Sequence, residues 1–158
     1  MSDGRYGIAI NDKTAHLSGL DLLAGIVAGR LPQARMAGTL GFALVEAEFG
    51  RAVFAGVPGE HVMNPAGAVH GGWALTLIDS AAGCAAHSTL GPGVRYVTVE
   101  TKGNLTRPIL PGMGVLRCEG RVVQGGRRVI LAEATLRDGG GRVLAHGTST
   151  LLVLAAAD

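Results

Sequence analysis

Aromatic residues are scarce in this chain of 158 residues: three Phe, two Tyr and one Trp make up 4% of it. Charged residues are also few, at 16%, with a net charge of +2. The basic residues are scattered, so the chain has neither a phosphate-tracking stripe nor a base-stacking platform, which excludes nucleic acid as the expected partner. Cysteine is limited to Cys84 and Cys118. Both sit inside apolar segments without ligand spacing, which predicts two buried, reduced thiols. His16, His61, His87 and His146 share no metal-ligand spacing with one another or with the cysteines, so neither a metal nor a cofactor is expected. No apolar run approaches the roughly 20 residues that span a bilayer, and the N-terminal stretch MSDGRYGIAINDKTAH lacks a basic-then-apolar signal design. The expectation is a soluble, cytoplasmic protein with no membrane partner.

Glycine is abundant instead. The chain has 26 glycines, more than twice the usual share of about 7%, placed as punctuation between apolar runs and without a fixed period. Apolar residues reach 47%. The length suits a single domain with a sizeable core, read as an N-terminal extension over 1–17 and one domain over 18–158. So little charge on a lone monomer points to burial between subunits.

The run SGLDLLAGIVAGR (18–30) spaces Leu20, Leu22, Leu23, Ile26 and Val27 as a short amphipathic helix, with Ser18 as N-cap and Pro32 as its stop. TLGFALVEAEFG (39–50) and RAVFAGVP (51–58) alternate as a hairpin. From Gly71 to about Ser88 the chain is Ala-rich, free of proline and apolar nearly all round, the mark of a buried central helix. Four further strands are expected over 94–109, 113–126, 127–138 and 141–154, separated by turns at Gly125-Gly126 and Gly139-Gly140-Gly141. The order α-β-β-α-β-β-β-β describes an α+β domain: one antiparallel sheet crossed by a buried helix.

Residues 64–83 carry the chemistry. Asn64 and the triplet His70-Gly71-Gly72 precede the central helix, which then holds one carboxylate, Asp79, among Leu75, Leu77, Ile78, Ala81 and Ala82. A carboxylate in such company is costly unless paired, hydrogen-bonded or used. A Gly-rich helix start offers free N–H groups to an oxyanion. Asp79 lies eight residues beyond Gly71, about 12 Å further along the axis and some 80° round the cylinder. One chain cannot bring both to the same carbonyl, but two such helices packed antiparallel can, each N-terminus meeting the other's middle. The pattern therefore predicts a carbonyl-directed site shared between subunits.

The segment Asn64, Gly67, His70-Gly71-Gly72, Asp79 and Gly83, followed by Val97-Thr98-Val99-Glu100 and Asn104-Leu105-Thr106-Arg107-Pro108, resembles the hotdog-fold thioesterases of the phenylacetic-acid-degradation (PaaI-like) and 4-hydroxybenzoyl-CoA thioesterase group. The resemblance runs from about Leu20 to Leu154. It implies a long helix wrapped by an antiparallel sheet, joined into a dimer with a continuous sheet and often paired again into a tetramer. It also implies hydrolysis of an aryl- or short- to medium-chain acyl-CoA. On this resemblance Asp79 is the nucleophile or the general base for water, and the Gly71 N–H holds the oxyanion of a substrate attacked from the facing subunit. Asn64 orients water or contacts the thioester, His70 helps to place the carbonyl, and Thr98 positions water. Gly72 and Gly83 fall at substrate-binding positions, Gly83 where one subgroup carries a Thr.

Each of these residues also has a plainer reading. Asn64 before Pro65 suits a turn, His70 suits a cap, and Thr98 is a β-branched strand residue. Trp73 reads as packing at the dimer interface. Arg107, Arg127 and Arg128 are the candidates for the CoA phosphates, or else solvated strand-end charges. A non-catalytic acyl-CoA-binding module is the alternative, and an intact Asn64–Gly71–Asp79 set argues against it. A hotdog hydratase would need an Asp and a His poised as a pair, whereas the one His of the motif precedes the helix.

Overall fold

The 17 residues Gly71–His87 form one helix, α3, on which the rest of the chain is assembled. In the computed structural model, which describes residues 4–154, six strands cross it: β3 (Phe42–Glu48), β4 (Arg51–Gly56), β5 (Arg95–Leu105), β6 (Leu116–Gln124), β7 (Val129–Arg137) and β8 (Val143–Leu154). They make one antiparallel sheet in the order β3-β4-β6-β7-β8-β5. This is the expected α+β hotdog architecture, and the central helix and all six strands fall where the pattern places them.

The glycine content has a packing cause. Ala74, Ala81, Ala82, Ala85 and Ala86 of α3 are fully buried, and side chains this small let the helix axis approach the sheet closely. The sheet answers with glycine. A Cβ on Gly120 of β6 would fall on the Ala81 carbonyl, and one on Gly147 of β8 would reach the Lys102 carbonyl and come 2.9 Å from Ile78 Cγ2. Leu77, Ile78, Leu116, Ile130, Leu136, Leu144 and Leu151 fill the space around these close approaches. Cys118 is fully buried and Cys84 half-buried, both as free thiols.

The N-terminal third differs in detail from its sequence reading. Helix α1 (Gly19–Val27) is capped by Ser18, whose Oγ accepts from the Asp21 N–H at 3.1 Å. It ends at left-handed Gly29 (φ +71°), before Pro32 is reached. Four short elements were not foreseen: β1 (Tyr6–Gly7) and β2 (Gln33–Ala34), which pair in parallel, a short helix, α2 (Arg35–Leu40), and a 3-10 turn over Glu60–Val62. Helix α2 takes up residues expected to open the first hairpin, and it closes at Gly41 with φ +74°. Trp73 is a correction. It is 3% exposed, and its Nε1 donates to the Leu40 carbonyl at 2.8 Å, so it ties α3 to α2 within one chain.

The two sheet edges are treated differently. At β3 the Gln33 side chain donates to the Leu44 carbonyl at 3.0 Å and accepts from the Leu44 N–H at 3.1 Å, a side chain standing in for a missing strand. At β5, 11 residues long, no described segment pairs with the outer edge. Val97, Val99 and Leu105 on that strand are 45%, 65% and 47% exposed. A long bare edge of this kind is a template for another strand. No helix among the described residues is long and apolar enough to cross a membrane.

Two stability predictions follow from the packing. Gly120→Ala forces α3 off the sheet and should cost about 3 kcal/mol in urea unfolding. Burial pushes the Cys118 and Cys84 thiols from an ordinary 9.0 up to about 12, with the Asp79 charge adding to the effect at Cys84. Burial also holds the His87 imidazole below its usual 6.5. Unfolding lets the thiols ionise and the imidazole protonate. Stability should therefore fall as pH rises from about 9 toward 12 and as it falls below about 6.5, with a plateau between, measured by urea midpoints across pH.

Candidate active site

The loop before α3 is built to aim the helix N-terminus. Asn64 Oδ1 accepts from the Ala66 N–H at 2.9 Å and from the Ala68 N–H at 3.2 Å, closing a turn in which Gly67 sits at φ +82°. The loop is then pinned on both sides. The Val69 N–H donates to the Ile109 carbonyl at 2.9 Å, and the His70 N–H donates to the Val62 carbonyl at 2.8 Å. Asn64 thus has its carbonyl oxygen committed to the loop, leaving only the side-chain amide N–H groups for other contacts.

His70 is the N-cap of α3. Its Nδ1 accepts from the Gly72 N–H at 2.9 Å. An imidazole nitrogen that accepts carries no proton, so the ring's hydrogen resides on Nε2, which remains a donor. The Gly72 N–H is therefore taken, and its expected substrate contact reduces to backbone lining a recess of about 330 Å³. The Gly71 N–H finds no acceptor among the described residues. It stands at the positive end of the helix dipole, where an oxyanion would be stabilised.

Asp79 lies two turns further on, half-buried in a groove of about 430 Å³ walled by Met36, Leu75, Thr76 and Val99. Thr98 Oγ1 donates to Asp79 Oδ1 at 3.1 Å, and Thr101 Oγ1 donates to the same oxygen at 2.8 Å. Thr101 is in turn 2.7 Å from the hydroxyl of Ser149, which is 1% exposed. Thr101 and Ser149 are absent from the sequence reading, and a β-bulge explains why. Thr98 pairs with Leu151 and Glu100 with Thr150, so Val99 is an extra residue on β5. Strict alternation would put residues 98 and 101 on opposite faces. The bulge turns both toward α3. Met36 was missed for a different reason, because the helix that presents it, α2, was not foreseen.

Other expected residues lie elsewhere. Gly83 is buried outside the groove, beneath Tyr96, whose hydroxyl would be 2.8 Å from any Cβ placed there. It makes room for that ring, and it lies apart from the groove that holds Asp79. The Tyr96 ring also meets His87 edge-on at 5.6 Å, and burial raises its phenol above the ordinary range. Arg107 is exposed just past the end of β5, where its guanidinium donates to the Val143 carbonyl at 2.8 Å. Arg127 and Arg128 line a cavity of about 900 Å³ with Thr89 and Leu90, at the opposite end of α3. Within one chain the three arginines do not share a site.

The sequence matches the family model described as thioesterase superfamily over residues 66–145. No curated protein matches it. Among solved structures, it is similar to a conserved protein from Pseudomonas aeruginosa (31% identity, 77% of this chain and 94% of that one, TM-score 0.72). It is also similar to a Streptococcus mutans protein bound to acetyl CoA (26% identity, 75% and 92% covered, TM-score 0.67). The PaaI protein from the phenylacetic acid degradation operon of E. coli shares the fold at 20% identity (77% and 86% covered, TM-score 0.70). A matched segment that runs from the loop before α3 to the start of β8 takes in Gly71, Asp79, Thr98 and Thr101 together, and the chain belongs to the thioesterase superfamily, a family of thioester hydrolases.

Proposed function

We propose that the protein hydrolyses the thioester of an aryl- or short- to medium-chain acyl-CoA across a dimer interface. In this reading Gly71 of one subunit and Asp79 of the other act on the same carbonyl. The observation that carries it is the pairing of two uncommitted groups on one helix: a Gly71 N–H with no acceptor, and an Asp79 whose Oδ2 has no partner, among the described residues.

Helix rigidity keeps these two groups about 12 Å apart in one chain. Three features support a two-fold solution. The outer edge of β5 pairs with no described segment and exposes Val97, Val99 and Leu105. Helix α3 runs antiparallel to β5, since Gly83 meets Tyr96 near the strand's start and Gly71 meets Leu105 at its end. One stripe of α3 (Gly72, Leu75, Thr76, Asp79, Ser80 and Cys84) is only half-buried. Antiparallel pairing of β5 with its copy would set two α3 helices side by side in opposite senses and cover that stripe. It would also bring Arg107 to the same end of the dimer as the partner's Arg127 and the partner's Arg128, with room for an extended, phosphate-bearing CoA between them.

The thioester oxygen then points at the Gly71 N–H, where developing negative charge meets the helix dipole. Asp79 Oδ2 of the facing subunit attacks the carbonyl carbon, or removes a proton from a water that does so. The C–S bond then breaks, CoA leaves as the thiolate and takes up a proton, and on the direct route water hydrolyses the acyl-aspartyl anhydride to free acid and carboxylate. Both routes need the carboxylate in the same place. The Nε2–H of His70 lies at the helix start, available to the carbonyl or to the acyl group, and the Asn64 amide is available to water.

Three predictions test this reading. In a thiol-release assay over a panel of acyl-CoA substrates, the protein should turn over at least one of them. Asp79→Asn should lower kcat by about 10³-fold while leaving fold and dimer intact, and unchanged turnover in that variant would contradict the assignment. For His70, Asn preserves the cap and removes the Nε2–H, while Ala removes both. His70→Ala should lose about 1 kcal/mol of stability that His70→Asn retains, and both should raise KM. A wild-type KM in His70→Asn would confine His70 to capping.

A further inference from the structure

The two oxygens of Asp79 are not equivalent. Oδ1 accepts from Thr98 at 3.1 Å and from Thr101 at 2.8 Å, whereas Oδ2 accepts from no group among the described residues. The Thr101 hydroxyl has one proton, and a carboxylate cannot return one. The direction of the hydrogen bonds is therefore forced: Ser149 donates to Thr101, and Thr101 donates to Asp79 Oδ1. Each donation polarises the next. The chain is anchored at Ser149, 1% exposed on β8, inside the sheet and away from the groove. Thr98, by contrast, is exposed at the groove surface and has no such backing.

We propose that Thr101, held by buried Ser149, is a positioning residue that locks the Asp79 carboxylate with Oδ2 turned toward the thioester. This rests on the reading of Asp79 as the reacting carboxylate. Thr98 alone would leave the carboxylate free to rotate about its last torsion and exchange its two oxygens. Two donors on one oxygen, one of them braced from the core, favour a single orientation. The β-bulge at Val99 makes the second donor possible by turning residues 98 and 101 to one face.

The test measures kcat and KM on acetyl-CoA, hexanoyl-CoA and benzoyl-CoA for Thr101→Val, Thr101→Ser, the double variant Thr101→Val/Ser149→Ala, and Asp79→Asn. Thr101→Val keeps the β-branched shape, and it should lower kcat about tenfold or more with KM within about twofold of the unaltered protein. Thr101→Ser should recover most of the loss. In Thr101→Val the Ser149 hydroxyl is left without its acceptor, and the double variant removes that burden, so its melting temperature should recover while kcat stays as low as in Thr101→Val. An unchanged kcat in Thr101→Val, a Thr101→Ser variant as slow as Thr101→Val, or recovery of kcat in the double variant would each overturn the positioning role. Full activity in Asp79→Asn would instead remove the reading beneath it, whatever the Thr101 variants do.

Discussion

A rigid helix holds at its start a glycine N–H with no acceptor among the described residues, and two turns along it a carboxylate, and the packing around the helix fixes that spacing. Helix α3 cannot flex to bring Gly71 and Asp79 together, because fully buried alanines press it against a sheet whose close approaches are glycine. In the proposed mechanism, the tight packing that stabilises the fold therefore leaves each chain with half of each site. What the chain keeps exposed is what a second copy would need: the bare β5 edge and the half-buried stripe of α3.

One network of ionic side chains lies on the outer face of the sheet. There Arg51 bridges Glu46, Glu48 and Glu119, Arg117 joins Glu46, and Arg121 joins Glu119. Surface pairs of this kind contribute little stability, but they keep that face wet.

The strong periodicities were legible in the sequence. Helix α3 begins at Gly71 as its Gly-Gly start suggests, and the four strands after it follow their turns at Gly125-Gly126 and Gly139-Gly141. Short-range and register effects were not legible. Helix α2 has six residues and no side-chain cap, too little to show a period. The β-bulge at Val99 leaves no compositional mark, so alternation put Thr101 on the wrong face and hid the second donor to Asp79. The glycines divide in an instructive way. Gly71 keeps the free N–H its motif implies, while Gly72 is spent on the His70 cap and Gly83 on Tyr96. A motif records which residue types recur at given positions. Only the packing shows which of them have a group to spare.

The central claim, that each site takes Gly71 from one subunit and Asp79 from the other, is tested most directly by mixing two inactive variants. Gly71→Pro removes the N–H at a helix position that tolerates proline, and His70 already has the extended backbone (φ −62°, ψ 134°) that a following proline requires. Asp79→Asn removes the carboxylate. Co-expressed in equal amounts, the two should give hybrids for half of the dimers, with one intact site in each, and so about a quarter of the unaltered thioesterase rate. Rates no higher than those of the two separate variants would show that both groups must come from one chain, and would contradict the account.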